Sequence, residues 1–427
     1  MATARERLAR LRNSIPRIVL GSGDASEKPA SPVATYYLVI VPALVLTVFG
    51  LLMGFSAQSV TAIAAGENPY TAYLRPVVII LVAVVVAFIV HRVPIGALKP
   101  VVWSLFGIAL FLQALVRTPL GRAEGGNANW VYIPGLPFLL QPSEFLKLAL
   151  VLALAKSLTH PGARLGDWRQ MLVKAGGLTG ISIVFVLLGG DMGTSLIVAA
   201  AAFGALWVAG LPKKWFLALF AVAVPVLAFL VFSNPTRLRR ILAILPGGST
   251  RSVSAPEQID HSLWAFGSGG LSGLGPGASR EKWNYLQAAH TDFIFAIVGE
   301  EFGLLGTLSV LIALGLLVWG MIRVSAAAKD PFVSIVAGGV ASWIGVQAVV
   351  NIFSVTGIGP VIGVPLPLVS YGGSSFLFTA VAIGVVASFA RAEAGMTMWG
   401  HSDPSTRGRD PRIAPRRRRA DRATGGR

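Results

Sequence analysis

The sequence predicts an all-α integral membrane protein with ten transmembrane helices. Of its 427 residues, 54% are hydrophobic and only 13% are charged, and its mean hydropathy of +0.70 is above the range of soluble domains. A helix needs about 20 mostly apolar residues to cross a bilayer. Ten runs of about this length follow one another, at residues 36–56, 74–90, 100–116, 139–156, 175–189, 192–210, 216–232, 302–322, 331–355 and 374–390.

The basic residues between these runs predict the orientation in the membrane. Loops rich in Lys and Arg alternate with loops poor in them, and the positive-inside rule places the rich loops in the cytoplasm. The N and C termini are then both cytoplasmic, as an even number of spans requires. One long extracellular loop, 233–292, lies between helices 7 and 8; it is basic, but long loops cross membranes largely regardless of charge.

The chain divides into a membrane domain and two tails. A basic cytoplasmic tail (1–35) precedes the ten-helix domain (36–391), and an Arg-rich cytoplasmic tail (392–427) follows it. Low hydrophobicity and abundant Arg, Pro and Gly predict that the last tail is disordered. Because no nucleic-acid-binding module accompanies the tails, they indicate contact with anionic lipid, and no nucleic acid is expected as a partner.

The group of residues that most needs an explanation lies in the stretch 284–306, which leads into the eighth apolar run. His290, Thr291 and Asp292 stand at the edge of the membrane, where ionisable groups are costly and by default functional. Asp292 has two interpretations. It is either the N-cap of a helix that begins at Phe293, or a general base whose pKa is raised in a partly dry site, with His290 and Thr291 orienting it.

Three other acids have simpler interpretations. Asp191 lies in the tight turn between the fifth and sixth runs, where it is a helix cap or a catalytic group. Glu300 and Glu301 follow Asp292 by about two helical turns, directly before the eighth run, and are predicted to have a supporting or packing role.

A second candidate site lies at the start of the fourth run, in the motif QPSEFLK. Glu144 and Lys147 are three residues apart and therefore share one helix face. They are either a capping acid and a lysine that snorkels to the interface, or groups that bind substrate. The predicted topology places them on the same side of the membrane as Asp292. Gln141 and Ser143 of the same motif are further candidate substrate-binding residues.

A third candidate is the segment 351–375, which we call the Pro/Gly segment. Its three prolines and several glycines do not allow a regular spanning helix. Non-helical backbone near a membrane is tolerated where it is buried in protein or lines a cavity. The segment is therefore a packing loop or a wall of the same cavity, with Ser370, Tyr371 and Ser374 as candidate substrate-binding residues.

The long loop before Asp292 completes the candidate surface. Its arginines, Arg237 and Arg239 among them, form either a solvated basic loop or an anion-binding surface, since clustered Arg suits phosphate. A glycine-rich stretch (267–277) permits close approach of the backbone to another segment. Four polar clusters on one side of the membrane suit an anionic, lipid-linked substrate, but they do not separate polymerisation from transport.

Five motifs resemble those of the SEDS family (shape, elongation, division and sporulation proteins). They occur in family order across residues 36–391, with two departures. Many members carry an Arg before the Trp of the loop that precedes QPSE, and this chain has Asn129; before the HTDF motif this chain reads YLQAAH where YLPEAH is common, so the usual acid is absent. The motifs are QPSEFLKLAL from Gln141, GGDMGTSLIV from Gly189, AFGSGGLSGLG from Ala265, AAHTDFIFAIVGEEFGLLG from Ala288 and VTGIGPVIGVPLPLVSYGGSS from Val355.

The resemblance implies a peptidoglycan glycosyltransferase in the plasma membrane. Such an enzyme polymerises lipid II, the undecaprenyl-diphosphate-linked disaccharide pentapeptide, at the outer face of the membrane. Asp292 would deprotonate the acceptor sugar hydroxyl, while Glu144 and Lys147 would line the cavity. The implied partners are a class B penicillin-binding protein (the septal transpeptidase) and other division proteins. The resemblance implies no definite cofactor. It leaves open whether a divalent cation, Mg²⁺ or Mn²⁺, takes part with Asp292 as a candidate ligand.

The tails and the site leave several readings of the biological role. Extended basic tails resemble the division branch of the family in actinobacteria, which implies a place at the division septum. The alternatives are an elongation-type (rod-shape) member, a flippase for the same lipid, and a scaffold that recruits division proteins. A flippase should place its essential groups near the bilayer midplane, whereas here the predicted groups gather at the outer ends of the spans.

Overall fold

The computed structural model describes residues 31–396 apart from 125–126, 137, 164–165, 243–253, 284–285, 287–288 and 290. Within these residues the chain is mainly helical. The helices are α1 (Pro32–Ala64), α2 (Pro69–Arg92), α3 (Ile95–Leu115), α4 (Pro142–Leu158), α5 (Trp168–Leu188), α6 (Met192–Val208), α7 (Lys213–Phe232), α8 (Pro235–Leu242), α9 (Ser254–Gly269), α10 (Ile294–Ala327), α11 (Pro331–Val355) and α12 (Gly373–Glu393).

Each of the ten predicted apolar runs lies wholly or mostly within one helix. Eight of these helices, α1, α2, α3, α5, α7, α10, α11 and α12, have the length and composition to cross a membrane. The other two, α4 and α6, have 17 residues each, slightly fewer than the roughly 20 of a typical span. The chain is therefore a multi-pass membrane protein, while ten crossings, cytoplasmic termini and the extracellular placement of 233–292 stay predictions.

The helical class predicted from the sequence is confirmed, and the connection between α3 and α4 adds a short β-hairpin that was not predicted. There β1 (Gly121–Glu124) pairs antiparallel with β2 (Asn127–Val131), and Val131 exchanges two further backbone hydrogen bonds with Leu140. The pairing satisfies backbone groups that a loop would leave to water. The Gly-Gly pair between the strands is typical of a hairpin turn, a signal that the search for membrane-length runs did not use.

The interior of the bundle is built around α4. Nearly all of its side chains are buried, and it packs against α3, α6, α11 and α12. Helix α11 in turn packs against α6 and α10, and α12 packs against α1 and α2. Glu144 and Lys147 of α4 therefore face protein rather than lipid, as charged groups at membrane depth require.

Helix α10 is interrupted at Gly303, where φ is 63° and ψ is −158°. The apolar run alone did not predict this interruption. The interruption frees backbone groups that the glycine-rich stretch then bonds: Leu274 N–H donates to the Glu300 carbonyl (2.9 Å), and Leu304 N–H donates to the Gly270 carbonyl (2.9 Å). The break is thus buried and satisfied within the protein, as irregular backbone in a membrane protein must be.

Candidate active site

Asp292 lies at one end of the bundle, immediately before α10. Phe293 occupies the N-cap position of this helix, so the interpretation of Asp292 as the cap is wrong. Asp292 is half-buried, and its Oδ2 lies 3.5 Å from the position that a Cβ on Gly363 would take. Because Gly363 has φ +76°, it allows the Pro/Gly segment to turn beside the carboxylate.

The electrostatic surroundings of Asp292 favour proton transfer. Burial, and to a smaller extent the negative charge of Asp191, raise the pKa of Asp292 to about 6. Among the described residues, no salt bridge involves its carboxylate. At neutral pH such a group is mostly ionised yet more basic than an ordinary aspartate, which are the properties of a general base.

Asp191 is the N-cap of α6. Its Oδ1 accepts a hydrogen bond from Thr194 N–H (2.8 Å), and its Oδ2 accepts from the Thr194 hydroxyl (2.6 Å) and from Asn129 Nδ2 (2.9 Å). Both oxygens are therefore bonded, which fits the capping interpretation. Asn129, where many SEDS proteins have Arg, here connects β2 to this cap.

Glu144 and Lys147 form a buried ion pair. The Lys147 Nζ lies 2.7 Å from the Glu144 Oε2, and the two side chains are 1% and 2% exposed. The same ammonium group donates to Gln347 Oε1 (2.9 Å) and lies 4.6 Å from the centre of the Trp343 ring. The snorkelling interpretation of Lys147 is wrong, because a snorkelling lysine keeps its charged end in water.

Two amides of α11 connect this pair and Asp292 to the non-helical part of the Pro/Gly segment, which runs from the end of α11 to the start of α12. Gln347 Nε2 donates to the Pro365 carbonyl (2.9 Å). Asn351 Nδ2 donates to the carbonyls of both Val364 and Asp292 (2.7 Å each). The sequence analysis missed both amides. Their signal was available, since they are two polar residues four apart in an otherwise apolar stretch of a membrane helix.

The other candidate residues of the QPSE motif and the Pro/Gly segment also come together. Gln141 N–H donates to the Ser374 hydroxyl (3.1 Å), which joins the start of α4 to the start of α12. The Ser370 hydroxyl accepts a backbone N–H of its own segment (2.7 Å). The Ser143 hydroxyl is buried and has no hydrogen-bond partner within the described part of the chain. Tyr371 is half-buried, and burial raises the pKa of its phenol.

The predicted basic surface is represented in the structure by Arg237. Its guanidinium donates to the Leu230 carbonyl (3.1 Å) and to the Gly190 carbonyl (3.1 Å), next to the turn that contains Asp191. The side chain of Arg239 and residue His290 lie outside the described residues. Thr291 is half-buried.

Glu300 and Glu301 bind a neighbouring loop. Glu300 accepts a hydrogen bond from the Ser279 hydroxyl. Glu301 Oε1 accepts from Lys282 Nζ (2.8 Å) and from the Ser56 hydroxyl (2.6 Å). These contacts tie α10 to α1 and to the segment that follows the glycine-rich stretch, in line with a supporting role.

Fold and site together define a polytopic helical membrane protein with a partly buried acidic site where α4, α6, α10 and α12 begin. Residues 36–395 match the profile of the cell cycle protein family of FtsW, RodA and SpoVE. The chain belongs to this family, the SEDS family.

Relatives and solved structures agree along most of the chain. Stage V sporulation protein E of Bacillus subtilis (strain 168) is 35% identical over 357 residues, which are 83% of this chain and 96% of the relative. A probable peptidoglycan glycosyltransferase FtsW from Trichlorobacter lovleyi is 36% identical over 361 residues, 83% of this chain and 92% of the relative.

Among solved structures, the rod shape determining protein RodA of Thermus thermophilus matches with a TM-score of 0.60 and 28% identity, over 83% of this chain and 96% of that chain. A chain from a peptidoglycan synthase complex, solved to explain how polymerisation and crosslinking are coordinated, matches with a TM-score of 0.64 and 29% identity, over 82% of this chain and 96% of that chain.

Proposed function

We propose that this chain is a peptidoglycan glycosyltransferase that polymerises lipid II into glycan strands at the outer face of the plasma membrane. The observation that carries the proposal is Asp292, a half-buried carboxylate with a pKa of about 6 beside the Pro/Gly segment. Relatives named probable peptidoglycan glycosyltransferase support it.

In the proposed reaction, Asp292 acts as the general base. The oxygen of the acceptor sugar hydroxyl attacks the anomeric carbon of the donor sugar, and its proton passes to the Asp292 carboxylate. A glycosidic C–O bond forms while the bond between the anomeric carbon and the diphosphate oxygen breaks, and undecaprenyl diphosphate leaves with the electron pair. Asp292 then releases its proton to solvent. A base of pKa about 6 is ready at neutral pH, where such groups contribute about 10²- to 10⁴-fold in rate.

The remaining site residues are proposed to shape and bind the substrate. Glu144 and Lys147 form a closed, neutral polar wall rather than an open phosphate site, because both side chains are almost fully buried. The guanidinium of Arg237, beside Gly190, supplies positive charge that suits the lipid diphosphate. The proposed substrate-binding residues are Gln141, Ser143, Thr291, His290, Arg237, Arg239, Ser370, Tyr371 and Ser374.

The described residues of the site do not by themselves assign a resident cation. Among the described residues, no three His, Asp or Glu side chains come together as metal ligands, and the oxygens of Asp191 are engaged by Thr194 and Asn129. No step of the proposed reaction is therefore assigned to a cation. Whether Mg²⁺ or Mn²⁺ assists with Asp292 as a ligand is a prediction that polymerisation with and without chelator tests.

We further propose that the protein works in cell division, as an FtsW of an actinobacterium, with a class B penicillin-binding protein as its partner. A structurally similar chain comes from a peptidoglycan synthase complex, which supports a partner of this kind. A fluorescent fusion expressed from the native locus should collect at the division septum. Signal along the side wall would favour the elongation branch instead.

The central experiment is polymerisation of lipid II by the full chain purified with its penicillin-binding partner. Wild-type protein should produce glycan strands, and Asp292→Asn should lower the rate about 10²- to 10⁴-fold. Asp330→Asn is the matched control, because Asp330 caps α11 at the other end of the bundle and Asn also caps well.

Two outcomes would change the proposal. If Asp292→Asn polymerises as fast as wild type, the assignment of the base is wrong. If wild-type protein makes no strands but moves labelled lipid II across vesicle membranes, the protein is a flippase.

A further inference from the structure

Gln347 and Asn351 are two polar residues of α11 that contact the residues of the candidate site. They lie one helical turn apart and therefore share one face of the helix, and each is only 1% exposed. A buried amide in a membrane helix is unfavourable unless its groups are bonded. The partners of these two amides therefore indicate why polar residues occur at these positions.

Asn351 joins the start of α10 to the Pro/Gly segment. Its Nδ2 donates to the main-chain carbonyls of Asp292 and Val364, at 2.7 Å each. Only the amide nitrogen can serve two carbonyl acceptors, so its orientation is determined by its partners. The Oδ1 has no partner within the described part of the chain, and such a buried acceptor costs about 1–3 kcal/mol. Asn351 is thus poorly suited to stabilise the fold for its own sake, yet it holds the residue that contains the proposed base.

Gln347 makes the corresponding connection for the buried ion pair. Its Oε1 accepts from Lys147 Nζ (2.9 Å) and from Trp343 Nε1 (2.8 Å), and its Nε2 donates to the Pro365 carbonyl (2.9 Å). The two amides therefore bind consecutive carbonyls, those of Val364 and Pro365. The segment cannot shift relative to Lys147 or to Asp292 without breaking one of these bonds.

We propose that Asn351 and Gln347 are positioning residues of the glycosyltransferase site, a proposal that rests on the function proposed above. Asn351 holds Asp292 beside Gly363, and Gln347 holds Lys147 and the ion pair in register with the same segment. Neither residue is assigned a contact with the reacting atoms. One face of helix α11 thereby fixes the position of the proposed base, Asp292, relative to the buried pair Glu144–Lys147.

The test compares Asn351→Leu and Gln347→Leu in the lipid II polymerisation assay as a function of pH. Asn351→Leu should lower kcat about 10- to 100-fold, the usual range for groups that orient a functional side chain. It should also move the acid limb of the rate profile to lower pH, because a released Asp292 gains water. The charged group that acts on Asp292 within the described chain is Asp191, which both variants retain. Gln347→Leu should raise KM for lipid II and leave the acid limb in place.

The controls separate positioning from folding. Gln113→Leu removes a buried amide of α3 that donates to the Phe185 carbonyl of α5 (3.4 Å), and it should leave kcat, KM and the acid limb unchanged. Thermal unfolding of each variant is measured in the same detergent. If Asn351→Leu does not accumulate as folded protein, Asn351→Ser, which keeps one hydroxyl donor, should show the same shift of the acid limb to a smaller extent.

The possible failures are distinguishable. Wild-type rates in both α11 variants, or losses that follow thermal stability with an unmoved acid limb, would overturn the positioning proposal alone. An inactive wild-type protein, or an active Asp292→Asn variant, would instead overturn the proposed function.

Discussion

The molecule contains two buried Glu–Lys pairs that look alike at short range and differ in what they connect. Glu144 and Lys147 are separated by 2.7 Å, and Glu301 and Lys282 by 2.8 Å, with no side chain of the four more than 2% exposed. The first pair lies within one turn of α4. The second joins α10 to a distant segment and, through Ser56, to α1.

The difference shows that the segments which a buried pair joins, rather than its burial, indicate its role. Burying two charges costs more than their attraction returns unless further bonds compensate. Glu301 and Lys282 have an evident structural reason, because they fasten three segments to one another. The Glu144–Lys147 pair joins two residues of one helix turn and reaches α11 through the bond from Lys147 to Gln347. Its retention inside the bundle is therefore better explained by the site to which Gln347 connects it.

The largest expected effect is the loss of stability when the pair Glu301–Lys282 is broken. Glu301→Ala leaves the Lys282 ammonium buried without its carboxylate, which destabilises by about 3–5 kcal/mol. Thermal and denaturant unfolding of the purified full chain measures the loss. Lys99→Ala is the control, since its pair with Asp330 is 42% and 38% exposed and such pairs contribute about 0–1 kcal/mol. Equal losses in the two variants would show that the buried pair does not fasten the fold.

Replacing each pair as a whole should separate function from stability. Glu144→Gln with Lys147→Met should reduce lipid II polymerisation about 100-fold, the scale of a preorganised polar site group, with little change in Tm because no unpaired charge remains. The matched replacement, Glu301→Gln with Lys282→Met, should keep the polymerisation rate within about tenfold of wild type. If the second double variant loses more activity than the first, the two pairs have been assigned the wrong purposes.

Sequence patterns predicted the apolar helices because a helix that crosses a bilayer needs a hydrophobic run of about 20 residues, which is visible in the sequence. They also pointed to Asp292, Glu144 and Lys147, since ionisable residues are rare in such runs. They did not reveal that α10 is interrupted at Gly303, because an apolar run that contains a glycine has the same composition whether the helix continues or breaks there.

Sequence patterns were weakest where the meaning of a residue depends on a distant partner. Glu301 and Glu144 carry the same local signal, an acid near the end of an apolar run. Only the packing shows that one meets Lys282 from a loop while the other meets a lysine of its own helix. Gln347 and Asn351 do stand out in the sequence as polar residues of an apolar helix, but the carbonyls of another segment to which they donate do not.

A smaller effect should distinguish the two acids that flank the start of α10. The pKa of Asp292 is raised from 3.8 to about 6, so its ionisation opposes folding above pH 4 and fully so above pH 6. Asp292→Asn should therefore be inactive but more stable at pH 7, by about 1 kcal/mol after allowance for its partial exposure. This advantage should shrink as pH falls from 6 toward 4.

Glu300 should respond in the opposite way. Its carboxylate accepts hydrogen bonds from the Ser279 hydroxyl and from the backbone N–H of Arg280 (2.8 Å). Glu300→Gln replaces an acceptor with a donor at one of these contacts and should destabilise by about 1–3 kcal/mol. Unfolding curves of both variants at pH 7 and pH 4 make the comparison. A stabilised Glu300→Gln or a destabilised Asp292→Asn would remove the distinction between the two acids.

The smallest expected effect tests the contact between Asp292 and the Pro/Gly segment. Gly363 and Gly66 have nearly the same positive φ, +76° and +73°, so replacing either by Ala is expected to cost a similar strain of about 1 kcal/mol. A methyl group on Gly363 would lie 3.5 Å from Asp292 Oδ2, whereas one on Gly66 would meet nothing within 4 Å. Both variants should therefore show the same small fall in Tm, but only Gly363→Ala should lower polymerisation and move its acid limb to higher pH, because the methyl group excludes water from the carboxylate. Matching pH profiles for the two variants would place the reacting proton away from Gly363, and the proposed base with it.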